Sequence, residues 1–141
     1  MARQTPWAAI ALLLGLLAGC SPGQPQYKPV RGKVLYHGTA LAQGTIVFAP
    51  DVSRGYRGPL SYAQIEPDGS YTLHSDDHPG ALVGCHRVTV SSVLPTAQLL
   101  PGQRFAVPLS LLPEKYRDPD RSGLSCEVKG DRENVINFDL D

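Results

Sequence analysis

The chain has 141 residues, 42% hydrophobic and 18% charged, which suits one folded domain and excludes a disordered composition. Thirteen Lys and Arg balance thirteen Asp and Glu. Removal of the N-terminal leader described below takes Arg3 with it and leaves a net charge of −1, so the chain lacks the basic surplus that nucleic-acid binding requires.

Arg3 is the only charged side chain ahead of Trp7 to Ala18, a run of twelve residues without a charge. A bilayer-spanning helix needs about 20 apolar residues and a secretory signal core about 7–15, so the run reads as a signal peptide. It ends in Leu17-Ala18-Gly19-Cys20, which resembles the bacterial lipobox at all four positions. Small Ala18 and Gly19 let a peptidase close on the backbone. The resemblance implies cleavage between Gly19 and Cys20, a thioether from Cys20 to diacylglycerol, and acylation of the freed amine. Ser21, rather than Asp, follows the cysteine, which by the same resemblance points to the outer membrane. Residues 1–19 are thus expected to be a leader. Residues 20–29, with Pro22, Pro25 and Pro29, are expected to form the lipidated cysteine and an extended Pro-rich tether.

From residue 30 onward the pattern alternates with period two between turn residues, and no useful helix-period segment occurs. Expected strands are Val30–Tyr36, Thr45–Ala49 stopped by Pro50, Leu60–Glu66, Ser70–Leu73, Cys85–Ser91, Leu124–Lys129 and Val135–Leu140. Asp68-Gly69 between two of them is the strongest hairpin signal, because Gly accepts positive φ without strain. Seven short strands predict an all-β fold, a seven-stranded Greek-key β-sandwich over residues 30–141. Residues 94–123, with five prolines, form a long loop to which no structure is assigned, apart from an apolar contact at Leu111-Leu112-Pro113.

Val30-Arg31-Gly32-Lys33-Val34, Gly38, Leu41 and Ile46-Val47-Phe48-Ala49-Pro50 resemble the opening of carboxypeptidase regulatory-like domains. Those domains share the transthyretin-like (prealbumin-like) sandwich. Pro67-Asp68-Gly69-Ser70-Tyr71-Thr72-Leu73 resembles their Asp-Gly hairpin, and Gly80 to Gly84 leading into His86-Arg87-Val88-Thr89-Val90 resembles their glycine-led strand. Pro113-Glu114-Lys115-Tyr116, Ser122-Gly123-Leu124 and Asn134 with Phe138-Asp139-Leu140 are similar to the tail of small bacterial lipoproteins of this type. The resemblance implies a fold and a display or interaction role, and no catalytic residues. Cys85 departs from the pattern, which has a basic or polar residue there.

Few constellations invite chemistry. Cys85-His86 would be a thiol–imidazole dyad, but neighbours in a strand point to opposite faces, and His86 shares the core face of Val88 and Val90. Asp76-Asp77-His78 places three metal-type ligands in a row with no second cluster to converge on them. Asp118, Asp120 and Ser122 with Gly123 have the 1, 3, 5, 6 spacing of a calcium loop, but Lys129 stands where a bidentate Glu is needed. They remain weak metal candidates, and no metal is expected. Tyr56, Tyr62, Tyr71 and Tyr116 are candidate sugar-stacking platforms or core residues. Export permits a disulfide between Cys85 and Cys126. Strand parity opposes it, with Cys85 outward and Cys126 inward, so two free thiols are expected.

The expectation is a non-enzymatic, lipid-anchored module of the cell envelope. Its role is structural or protein-interacting, and its cofactors are none beyond the covalent diacylglycerol and fatty acyl on Cys20. Its partners are the membrane and an unknown envelope protein or glycan. The alternative is a carbohydrate- or calcium-binding module using loops near residues 50–60, 75–80 or 94–123.

Overall fold

The computed structural model describes residues 23–94 and 108–141. The leader, the cleavage site at Gly19 and Cys20, and residues 95–107 lie outside the described residues. The described chain is all-β, with two short 3-10 turns, Val52–Arg54 and Glu114–Arg117.

The principal strands are β1 (Val30–Tyr36), β2 (Gly44–Pro50), β3 (Ser61–Ile65), β4 (Ser70–Thr72), β5 (Gly84–Ser91), β6 (Leu124–Val128) and β7 (Phe138–Leu140). One sheet runs β6-β5-β2-β3 and continues into the small hairpin of His74–Ser75 with His78–Pro79. The other is centred on β1, which pairs antiparallel with β4 and parallel with β7. Alternation explains the facing. In β5 the residues Gly84, His86, Val88 and Val90 are buried while Cys85, Arg87, Thr89 and Ser91 are partly exposed. Ile46, Phe48, Ala63, Ile65, Val88, Val90 and Val128 from the first sheet form one core with Val30, Val34, Tyr71, Phe138 and Leu140 from the second. Phe48 joins the two, edge-on to Phe138 at 6.0 Å and tilted against Tyr71 at 6.2 Å between ring centroids. An aromatic pair of this kind adds about 0.5–1.5 kcal/mol beyond area burial.

The structure departs from the sequence expectation in four places. Pro50 stops β2 as expected but is itself the last paired residue, opposite His86, rather than the first beyond the strand, because the last residue of a strand can forgo an amide donor. Leu60 lies outside β3 and is 54% exposed. The last strand is broken: Asn134–Val135 and β7 pair separately with β1. Between them the Ile136 carbonyl sits over Gly32, where a Cβ would fall 1.7 Å from its oxygen. The Tyr71 hydroxyl donates to that oxygen at 2.6 Å, and Asn137 Oδ1 accepts from the Lys33 amide at 2.9 Å. Finally, ordered pairing begins before residue 30. Tyr27–Lys28 pairs with Ala81–Leu82, the Tyr27 ring stacks on His78 at 4.1 Å, and the Gln26 carbonyl accepts from the Val83 amide.

The long loop also carries structure at both ends. Leu109–Ser110 pairs with Val93–Leu94. Leu112 is buried, and so is Tyr116 in the second 3-10 turn. The Tyr116 hydroxyl accepts from the Asp141 amide at 2.9 Å and donates to Asp141 Oδ1 at 2.5 Å, which fastens the C-terminus to this segment.

Candidate functional site

The segment between β2 and β3, residues 51–60, carries a buried acid, Asp51, and three exposed apolar side chains, Val52, Tyr56 and Leu60. Asp51 leaves β2 in extended conformation, and its carboxylate accepts from the Ser53 amide (3.1 Å) and hydroxyl (2.6 Å), capping the Val52–Arg54 turn. Gly55, at φ 85°, ends that turn in the left-handed region a side chain would resist. Asp51 is almost fully buried. Arg87 Nε, from the outer face of β5, lies 3.3 Å from its Oδ1, and Arg54 Nε lies 3.6 Å from its Oδ2. The Ser53 hydroxyl bond, with both guanidinium groups behind it, holds the Asp51 carboxyl below the usual carboxylate range. Arg87 also pairs with Asp120 and donates to the Ser53 hydroxyl at 3.1 Å. Arg54 Nη1 donates to Cys85 Sγ at 3.6 Å.

Beside this network lies a cavity of about 310 Å³, near the lower limit for small-molecule sites. Tyr27, Tyr56, Pro59 and Leu82 form apolar walls, and Arg57 and His86 supply polar groups. Tyr56 can lie there because Gly84 has no Cβ; one would meet the ring at 2.3 Å. Arg57 makes no ion pair among the described residues. His86 is 1% exposed. Its Nδ1 is 3.0 Å from the Gly84 carbonyl, which makes that nitrogen the donor. Nε2 is then a bare acceptor, and it is the one buried side-chain polar atom among the described residues without a hydrogen-bond partner. Burial lowers the His86 pKa, against the opposing Gly84 bond, and favours the neutral ring.

The residues singled out in the sequence are mostly kept apart. Cys85 and His86 occupy opposite faces of β5. Cys85 stands opposite Glu127, and Cys126 opposite His86, so the two cysteines alternate across the β5–β6 ladder and both are free thiols. Burial pushes the Cys126 thiol up to about 12. Asp76 and Asp77 form the tip of a two-residue hairpin while His78 stacks on Tyr27, so the three do not face a common point. The calcium-type loop is likewise committed elsewhere. Asp118 Oδ1 accepts from the Asp120 amide, Asp120 pairs with Arg87, and buried Ser122 donates its hydroxyl to the Val88 carbonyl at 2.7 Å. Among the described residues no group of three His, Cys, Asp or Glu side chains could hold a metal, and no helix is long and apolar enough to cross a membrane. Tyr71 and Tyr116 are core; Tyr56 and Tyr62 are each 37% exposed.

Sequence reading named the 50–60 loop as a possible binding loop but missed Asp51, Arg57 and the neighbourhood of Tyr27. The local signal for Asp51 was present, as Asp-x-Ser directly after a strand. Nothing local signals that residues 25–27 close the cavity, because that pairing spans more than fifty positions. Comparison with protein-family models, curated proteins and solved structures finds no match for this chain.

Proposed function

We propose that this chain is a non-enzymatic module of the bacterial cell envelope, held at the outer membrane by lipid on Cys20 and acting through contacts rather than chemistry. The observation that carries the reading is the tetrapeptide Leu17-Ala18-Gly19-Cys20 at the end of a twelve-residue uncharged run. The paired structure starts at Tyr27, seven residues beyond that cysteine. A short tether of this kind suits a domain displayed close to a membrane. In this reading the two sheets pack as a transthyretin-like sandwich of the carboxypeptidase regulatory-like type. Two or more acyl chains make the anchor stable, since each buried CH₂ contributes about 0.8 kcal/mol and a single chain binds marginally. The test is metabolic palmitate labelling of Cys20→Ala. The variant should carry no label and accumulate with its leader uncut. Labelling at the wild-type level refutes the reading.

One observation favours the alternative, a carbohydrate-binding module. The cavity between Tyr27 and Tyr56 holds an unpaired Arg57 beside a buried acceptor at His86, a combination that suits a hydroxylated ring bearing a carboxylate. Titration with galacturonic acid, followed by the His86 imidazole nitrogen signals, tests it. Movement of those signals, abolished in Arg57→Gln, supports a sugar site; no movement at saturating sugar excludes one. The committed side chains of Asp118, Asp120 and Ser122 give calcium no comparable support.

A further inference from the structure

We infer that loop 51–60, on the side of the domain where the tether leaves, is a second membrane contact that lies on the anionic headgroups of the bilayer holding the Cys20 lipid. The inference rests on the anchoring reading above and adds an orientation to it.

Three observations carry it. The first is chain length. Pro25, Gln26 and Tyr27 line the same cavity as Tyr56, Arg57 and Pro59, so the chain leaves the domain beside this loop. Only four residues lie between Cys20 and Pro25, and the five Cα-to-Cα steps span at most about 18 Å. The far end of β1, at Tyr36, is about 20 Å further along a seven-residue strand. An anchored domain therefore keeps loop 51–60 near the lipid surface.

The second is exposed apolar surface. Among the described residues, three of the eight large hydrophobic side chains left in solvent belong to this ten-residue loop: Val52 (57% exposed), Tyr56 (37%) and Leu60 (54%). Tyr is the residue type that suits the headgroup level, with an apolar ring and a wet hydroxyl. The third is charge. Arg54 and Arg57 project from the loop, and its one acid, Asp51, is buried under Arg87 and Arg54. The exposed face of the loop is thus cationic and complements anionic lipid.

The experiment uses the mature lipidated protein reconstituted in vesicles of phosphatidylglycerol and phosphatidylcholine with acyl chains brominated near the headgroup. The chain's single Trp is Trp7 in the leader, so the mature protein offers no tryptophan background, and excitation at the red edge of the indole band leaves its tyrosines dark. Tyr56→Trp and, separately, Leu60→Trp each place one fluorophore on the loop; Tyr36→Trp places one at the far end. Emission quenched by bromine in the loop variants, with unquenched emission from Tyr36→Trp, whose half-buried position packs against the core, is the expected result. Arg57→Gln in the Leu60→Trp background, or purely zwitterionic vesicles, should remove most of the quenching. Loop emission no more quenched than that of Tyr36→Trp, in protein that floats with the vesicles, overturns the inference and leaves the loop to a protein partner. Protein that neither floats nor carries palmitate overturns the anchor itself, and with it this contact.

Discussion

Gly32 is the position where β1 and the Ile136–Asn137 segment are locked together, and Gly32→Ala is the sharpest test of that packing. Its backbone is unremarkable, so the effect is one of space alone. The new Cβ would lie 1.7 Å from the Ile136 oxygen and 2.6 Å from its carbonyl carbon, both backbone atoms that cannot rotate away. The Ile136–Asn137 segment must lift. Three hydrogen bonds go with it: Tyr71 Oη to the Ile136 carbonyl (2.6 Å), the Ile136 amide to the Arg31 carbonyl (2.8 Å) and the Lys33 amide to Asn137 Oδ1 (2.9 Å). At about 1 kcal/mol each the loss is about 3 kcal/mol. For a domain of this size that is a fall in melting temperature of about 12 °C. Urea denaturation of the leaderless domain, monitored by far-ultraviolet circular dichroism, measures it. Tyr71→Phe alone should cost about 1 kcal/mol, and the double variant should cost less than the sum, because both changes break one contact. A cost for Gly32→Ala below about 0.5 kcal/mol, or strict additivity with Tyr71→Phe, would show that the Ile136 carbonyl does not rest on Gly32.

Other outcomes follow from the same structure. Phe138→Ala removes the edge-on partner of Phe48 in the core and should cost about 3–5 kcal/mol in the same assay. His86, whose folded pKa is lowered by burial, binds fewer protons than in the unfolded chain, so its contribution is complete above the ordinary histidine value of about 6.5 and is lost as pH falls below it. Urea midpoints should drop between pH 7.5 and pH 5, and His86→Gln should flatten that slope. Asp141, held down to about 2 first by the Tyr116 hydroxyl and then by Lys115, should titrate nearer the usual carboxylate value in Tyr116→Phe, as read from its side-chain carboxyl carbon signal. Burial pushes the Cys126 thiol up to about 12 and keeps it protonated at pH 8, so iodoacetamide should label Cys85 first; intact mass against time decides the order.

Period-two alternation by itself determined six of the strands to within a residue or so, the inward face of β5 and the Asp68-Gly69 turn, where Gly69 takes φ 80°. These are local properties: side chains alternate along any strand, and a tight turn needs a residue that accepts positive φ. Opposite-face placement of Cys85 and His86 was legible for the same reason. Tertiary structure alone decided the break in the last strand, since Ile136 and Asn137 alternate like strand residues and yield only to Gly32 and Tyr71 lying opposite them. It also decided that Tyr116 would be core rather than a sugar platform, and that Tyr27 would join the domain rather than the tether. The candidate site belongs to this second class. Asp51, Arg87 and Asp120 come from three separate stretches of chain, as do Tyr27, Tyr56 and His86, and each set meets only after the sheets have formed. Alternation tells a side chain which face to take, but which residues from elsewhere in the chain share that face depends on register and pairing, and those are settled by the whole core at once.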